Sequence, residues 1–274
     1  MNREKLVENY IDNKIPTLKM TDTINFSCKV CGKCCRNRND ILLSPYDIYR
    51  ACKYLKIKPI DFIHKYCYFY VGHESNLPLL ILKFKEGFGY TFCPFLKKKV
   101  ENFVCTIQDA KPTVCALFPV SRFYQPQKDI IDYVYQDACG SKDSTITLQD
   151  WLSMYNLQDS EECFKIYGQA IEDVESIIDL KKFRKTESCK EYQSLFYSIM
   201  FYLMYMKFDF NKDVLQNIKE NMEQLTEFIK VFISYLLIKG LADVRGMKRI
   251  KPVSTNPVEL FAMLKQYIPQ QNEA

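Results

Sequence analysis

The 274-residue chain predicts an α+β protein. A small cysteine-rich metal-binding module of short hairpins and helices spans residues 20–142, and an all-α helical module spans residues 145–270. Three observations carry this. Ten of the twelve cysteines lie between Cys28 and Cys139. Runs in the same span, broken by glycine and proline, read as hairpins. Beyond them, apolar residues recur every three or four positions, the helical period.

In the first module, Ile41-Leu42-Leu43 reads as a short strand. Ser44-Pro45-Tyr46-Asp47 then starts a helix running to about Lys56. Ser44 caps free N–H groups, and the fixed φ of Pro45 suits the first turn. A second short helix follows Pro59. Residues 79–85 and 88–92 read as a hairpin turning at Glu86-Gly87. Residues 120–124 and 130–135 read as another, turning at Pro126. The polar stretch Gly140-Ser141-Lys142-Asp143-Ser144 marks the module boundary. Thr147 caps a helix through Tyr155. Phe164, Tyr167, Ile171, Val174 and Ile178 share one helix face, as do Ile218, Met222, Leu225, Ile229, Phe232 and Leu236. Both stripes read as core. Residues 195–206 read as apolar on every side, which predicts a central buried helix. At twelve residues, the run is too short for a membrane span of about 20.

Composition narrows the function. Hydrophobic residues make up 47% of the chain, with 19 Phe and 19 Tyr, so core material is ample and disorder is not expected. The formal charge of +5 counts cysteine as neutral. Ionised thiolates would lower it, so nucleic-acid binding is not expected. The first twenty residues hold Arg3, Lys5 and Lys14 but no apolar signal core. The expectation is a cytoplasmic protein without a membrane partner, where cysteines serve metal rather than disulfides.

The chemistry-bearing feature is Cys28, Cys31, Cys34 and Cys35, four thiols in eight residues. Thiolates two residues apart converge on a metal through a short turn. Neighbouring side chains are expected to diverge, so Cys34 and Cys35 should feed two centres, or one sulfur should bridge. Cys93, Cys105, Cys115 and Cys139 bring the candidate metal ligands to eight, enough for two four-thiolate centres. Lys29, Lys33, Arg36, Arg38, Lys97, Lys98 and Lys99 lie near in sequence, and positive charge favours the thiolate. Familiar patterns fail: bacterial ferredoxin and radical S-adenosylmethionine spacings both need a cysteine where Arg38 stands, and no second Cys-x-x-Cys completes a zinc ribbon. Cys52, Cys67, Cys163 and Cys189 read as small buried thiols. His64 and His73 read as spare to a set already supplied with eight cysteines. No serine–histidine–acid set or phosphate loop is present.

The order Phe-x-Cys-x-x-Cys-Gly-x-Cys-Cys-Arg, Leu-Ser-Pro-x-Asp-Ile, Cys-Pro-Phe-Leu and Cys-x-Ile-x-x-x-Lys-Pro-x-x-Cys-x-x-Phe-Pro resembles the CxxCxxCC, or YkgJ-type, cysteine-cluster family of zinc- or iron-chelating proteins. The likeness covers about residues 26–140. Its eight family cysteines fall on the eight named above. Lys111-Pro112 stands where the family has Arg-Pro, Ala116 where it often has arginine, and Gln108 where it often has tyrosine. Flagellin lysine N-methylases resemble the family through the same module.

The resemblance implies one or two cysteine-ligated centres, iron–sulfur ahead of zinc, serving electron transfer or substrate positioning with a redox partner or protein substrate. One alternative is an S-adenosylmethionine-dependent protein-lysine N-methyltransferase acting on a flagellin-like substrate. The sequence offers that reading no Rossmann signature, since its closest glycine pair is Gly87-Phe88-Gly89. Catalytic and cofactor-binding residues for it are unassigned. A second alternative is a zinc-stapled interaction scaffold.

Overall fold

A computed structural model describes residues 3–12, 14–87, 89–136, 141–155, 157–241 and 251–269. The chain forms two compact units. One comprises Met1–Tyr68 with Leu80–Lys165, the other Phe69–Leu79 with Ile166–Ala274. The α+β class holds, with small antiparallel sheets and a helical C-terminal region.

The first unit opens with α1 (Arg3–Ile11), β1 (Thr17–Leu18) and β2 (Thr23–Ser27). After the cysteine turn come β3 (Leu42–Leu43), α2 (Pro45–Leu55) and α3 (Pro59–Tyr66). The strands β4 (Cys67–Val71) and β5 (Pro78–Leu82) are each divided between the units. Two hairpins follow, β6 (Lys85–Gly87) with β7 (Tyr90–Phe92) and β8 (Leu96–Lys99) with β9 (Asn102–Cys105). Next are α4 (Thr113–Leu117), β10 (Val120–Gln125), β11 (Ile130–Tyr135), β12 (Ser141–Thr147) and α5 (Leu148–Met154).

Local chemistry explains these elements. Ser44 begins α2 with a full capping box: its side chain accepts from the Asp47 N–H, and Asp47 accepts from the Ser44 N–H. Thr147 caps α5 by accepting from the Asp150 N–H. β10 and β11 pair antiparallel around Pro126, with Ser121 opposite Val134, and β1 extends that sheet.

The hairpin expected from residues 79–85 and 88–92 is redrawn. β5 pairs with β3, Leu43 opposite Leu80, and only Lys85–Gly87 pairs back onto Tyr90–Phe92. Leu80 and Leu82 are buried on alternate positions of β5. Burying that face outweighs continuing a two-stranded ribbon. The stretch 141–144 likewise carries structure: β12 pairs with β2, Ile146 opposite Ile24.

The core behind the cysteines joins β2, α4, β10, β11 and α5. β2 alternates, turning Ile24 and Phe26 inward. Phe26 meets Trp151 edge-on at 5.6 Å, and the Trp151 indole N–H donates to the Leu117 carbonyl at 3.0 Å. The strand that leads into Cys28 and the helix that carries Cys115 are thus rooted in one apolar cluster.

The helix α6 (Gln158–Ile177) starts in the first unit and ends in the second. The second unit adds α7 (Leu180–Lys185), α8 (Lys190–Tyr205), α9 (Val214–Ile238) and α10 (Pro257–Lys265). All six residues of the predicted α9 stripe are buried. α8 is buried around its last turns, whereas Leu195 and Ser198 face solvent. Phe183, Phe196, Phe228 and Phe232 pack as one aromatic group. Among the described residues, no helix is long and apolar enough to cross a membrane.

Candidate metal centre

The segment after β2 is a tight turn built for sulfur. Val30 takes φ 50 and Gly32 φ 67, both left-handed. The Val30 N–H donates to the Cys28 sulfur at 3.4 Å, and its carbonyl accepts from the Phe103 N–H at 3.0 Å. A left-handed valine is strained because its branched Cβ crowds the backbone. The two hydrogen bonds and the packing of Gly32 hold it there. A Cβ on Gly32 would sit 3.0 Å from Phe103 Cβ, so the turn lies directly against β9.

A single 3-10 turn, Lys33–Cys35, follows. It puts the Cys34 and Cys35 sulfurs 3.9 Å apart. The expected divergence of these neighbours is therefore overturned. The tight turn rotates consecutive side chains by less than an extended chain would, so both sulfurs reach a common side. In a tetrahedral site with metal–sulfur bonds of about 2.3 Å, the sulfur–sulfur edge is about 3.8 Å. The pair already spans such an edge.

Three more thiols lie within electrostatic range. The Cys93 N–H, just after β7, donates to the Cys35 carbonyl at 2.8 Å. Cys105 ends β9, opposite Leu96, whose N–H donates to the Cys93 carbonyl at 3.0 Å. Cys115 sits in the short α4, its N–H bonded to the Pro112 carbonyl at 2.8 Å. Cys34, Cys93, Cys105 and Cys115 lie close enough to feel one another's charge, and Cys35 feels Cys34, Cys93 and Cys115.

The electrostatics separate one thiol from the rest. A hydrogen bond from Cys35 brings Cys34 down to about 6, helped by the nearby Lys111 and Arg38 charges. Cys35 moves up, because it is the donor in that bond and is partly desolvated. Burial pushes Cys93 up to about 11 and raises Cys105 and Cys115. Of the bases near in sequence, Arg38 acts on the thiols while held by Asp40 through two hydrogen bonds of 2.6 and 2.9 Å. Lys29, Lys33, Lys97, Lys98 and Lys99 are exposed. Lys111, its ammonium 4.1 Å from the Tyr155 ring centre, was noted in the sequence only as standing where the family has arginine, and not among the bases near the thiols. Its only sequence signal was its place two residues before Thr113 in the Lys-Pro-x-x-Cys run.

Cys28 and Cys31 are exposed on the preceding turn, and Cys139 lies outside the described residues. Among the described residues, no cysteine forms a disulfide. Cys52, Cys67, Cys163 and Cys189 are buried. Among the described residues, no three His, Cys, Asp or Glu side chains stand grouped to hold an ion. The donor set still suits a thiophilic metal: four thiols in mutual electrostatic range with Cys35 beside three of them, one ready-made tetrahedral edge, and two cations to offset thiolate charge.

Comparison with known proteins agrees with this chemistry. Residues 27–140 match the CxxCxxCC family, described as "Putative zinc- or iron-chelating domain". No curated protein and no solved structure matches the chain.

Proposed function

We propose, from the premise that residues 27–140 are a domain of the CxxCxxCC family, that the first unit holds a closed four-thiolate metal centre with Cys34 and Cys35 on the same metal atom. The observation that carries this is the 3.9 Å separation of their sulfurs. Cys115 and one of Cys93 and Cys105 supply the other two thiolates from separate elements. The other of that pair, with Cys28, Cys31 and Cys139, completes the eight-cysteine set as candidates for a second centre.

Four thiolates in tetrahedral array suit zinc or iron. Within iron–sulfur chemistry, the Cys34–Cys35 edge favours a cluster in which one iron takes two cysteines. A cubane, with one cysteine per iron, would need these sulfurs farther apart. When bound, iron supplies an electron-transfer or substrate-orienting centre, and zinc supplies a structural staple. The chain's own residues do the same work in either case. Arg38 and Lys111 favour the thiolate form, and the hairpins β6–β7 and β8–β9 fix Cys93 and Cys105.

Anaerobic purification with metal and acid-labile sulfide analysis tests the proposal. Brown protein with equimolar iron and sulfide assigns the iron–sulfur form. Colourless protein with stoichiometric zinc assigns the staple. Protein free of both metals, which also fails to take either up, would end the proposal.

A further inference from the structure

The Leu43-Ser44-Pro45-Tyr46-Asp47-Ile48 run contains no metal-ligating cysteine, yet it lies within the matched family segment. We propose that Asp47 is the positioning residue for Cys115, an inference whose purpose rests on the metal-binding reading above. Asp47 is 4% exposed. Its Oδ2 accepts from the Ser44 N–H at 2.9 Å and the Ser44 hydroxyl at 2.8 Å. Its Oδ1 accepts from the Thr113 N–H at 2.7 Å and the Thr113 hydroxyl at 2.6 Å. Four donors therefore converge on one buried carboxylate from segments 66 residues apart.

Thr113 is the first residue of α4, and Cys115 follows two residues later. α4 has five residues, far below the length at which a helix holds itself in water. Its far end is fixed by the core: Ala116 and Leu117 are buried, and Trp151 binds the Leu117 carbonyl. Its near end is fixed by Asp47. With both ends held, the Cys115 sulfur has one direction.

The chemistry demands a carboxylate. Ionised aspartate is acceptor-only and satisfies four donors at once. Asparagine would turn an NH2 group toward the N–H and hydroxyl of either Ser44 or Thr113, setting donor against donor. Hydrogen bonds to a charged acceptor are also the stronger kind. The same carboxylate caps α2, so one group sets two helix starts.

The test uses the full-length chain as wild type, Asp47→Asn, Thr113→Val and Thr113→Ser. In metal-free protein, iodoacetamide modification of Cys115 is followed by peptide mass spectrometry, with buried Cys189 as internal control. Losing a hydrogen bond to a charged group should speed Cys115 modification about tenfold in Thr113→Val, and further in Asp47→Asn. Cys189 should not change, and Thr113→Ser, which keeps the hydroxyl, should match wild type. In cobalt-loaded protein, the thiolate-to-cobalt absorption should fall by about a quarter, one thiolate of four.

Equal acceleration of Cys115 and Cys189, or none in folded variants, would overturn the positioning role. If Asp47→Asn does not fold, the Thr113 pair decides alone. Failure of the wild type to take up cobalt would count against the metal centre, while the alkylation contrast still decides the clamp.

Discussion

The Cys34 and Cys35 sulfurs stand 3.9 Å apart within one 3-10 turn, so two consecutive residues face one point. Residues acting on one ion are not additive when removed together. Cys34→Ser and Cys35→Ser should each abolish the same centre, and the double variant should lose no more metal than either single one. Metal analysis after anaerobic reconstitution reads this directly. A double variant that loses two centres where each single loses one would restore the divergent arrangement expected from the sequence.

Metal uptake should strengthen as pH rises. Thiols must ionise to bind, and burial raises Cys93, Cys105 and Cys115, while Cys35 is raised by its bond to Cys34. Cys34 alone is brought down, to about 6. At pH 7, a centre of Cys34 plus three raised thiols releases about three protons on binding, so affinity gains about three decades per pH unit. At lower pH, where Cys34 is protonated as well, the slope steepens toward about four decades. Competition against a coloured chelator at several pH values measures the slope. A flat profile from pH 6.5 to 7.5 would contradict this assignment of protonation states.

The cysteine turn stores strain at Val30 and tolerates little at Gly32. Gly32→Ala meets both a left-handed φ of 67 and Phe103 Cβ at 3.0 Å. It should destabilise metal-free protein by about 2 kcal/mol. Val30→Gly relieves a strained β-branched residue but loosens the unfolded chain, leaving a net change within about 1 kcal/mol of zero. Thermal midpoints of the two variants should therefore separate by several degrees. Coincident midpoints would show that the turn is not strained.

How much of this was legible varies by residue. Ser44 and Thr147 were readable as caps because capping is local chemistry of one side chain and the next turn. The α9 stripe was readable because its period is regular. The strand from 78 to 82 was visible, but its partner was not, since β3 lies 37 residues upstream and pairing depends on which face is buried. The short pair β8–β9 was missed because Lys97-Lys98-Lys99 breaks any alternation of apolar and polar residues. Cysteine spacing pointed to a metal centre, but the Cys34–Cys35 geometry depends on backbone turn type, which spacing does not encode. Asp47 and Thr113 meet across 66 residues, so only the fold joins them. The methyltransferase alternative gains nothing from these observations and rests on resemblance alone.

Cys52 and Cys67 stand outside the proposed ligand set. Both are buried, at 1% and 8% exposure, in the first unit's helix α2 and at the start of β4. Burial pushes each thiol up to about 12, so both stay protonated where the centre binds metal. Their role is packing. Replacing each with alanine removes one buried sulfur and should cost about 1 kcal/mol, or about 2 kcal/mol together if the sites do not couple. Metal content should stay at the wild-type value. Urea unfolding combined with metal analysis of the double variant checks both halves. Stability lost with metal retained fits packing thiols; metal lost from a folded variant would extend the ligand set beyond the eight family cysteines and require a different partition of sulfurs between centres.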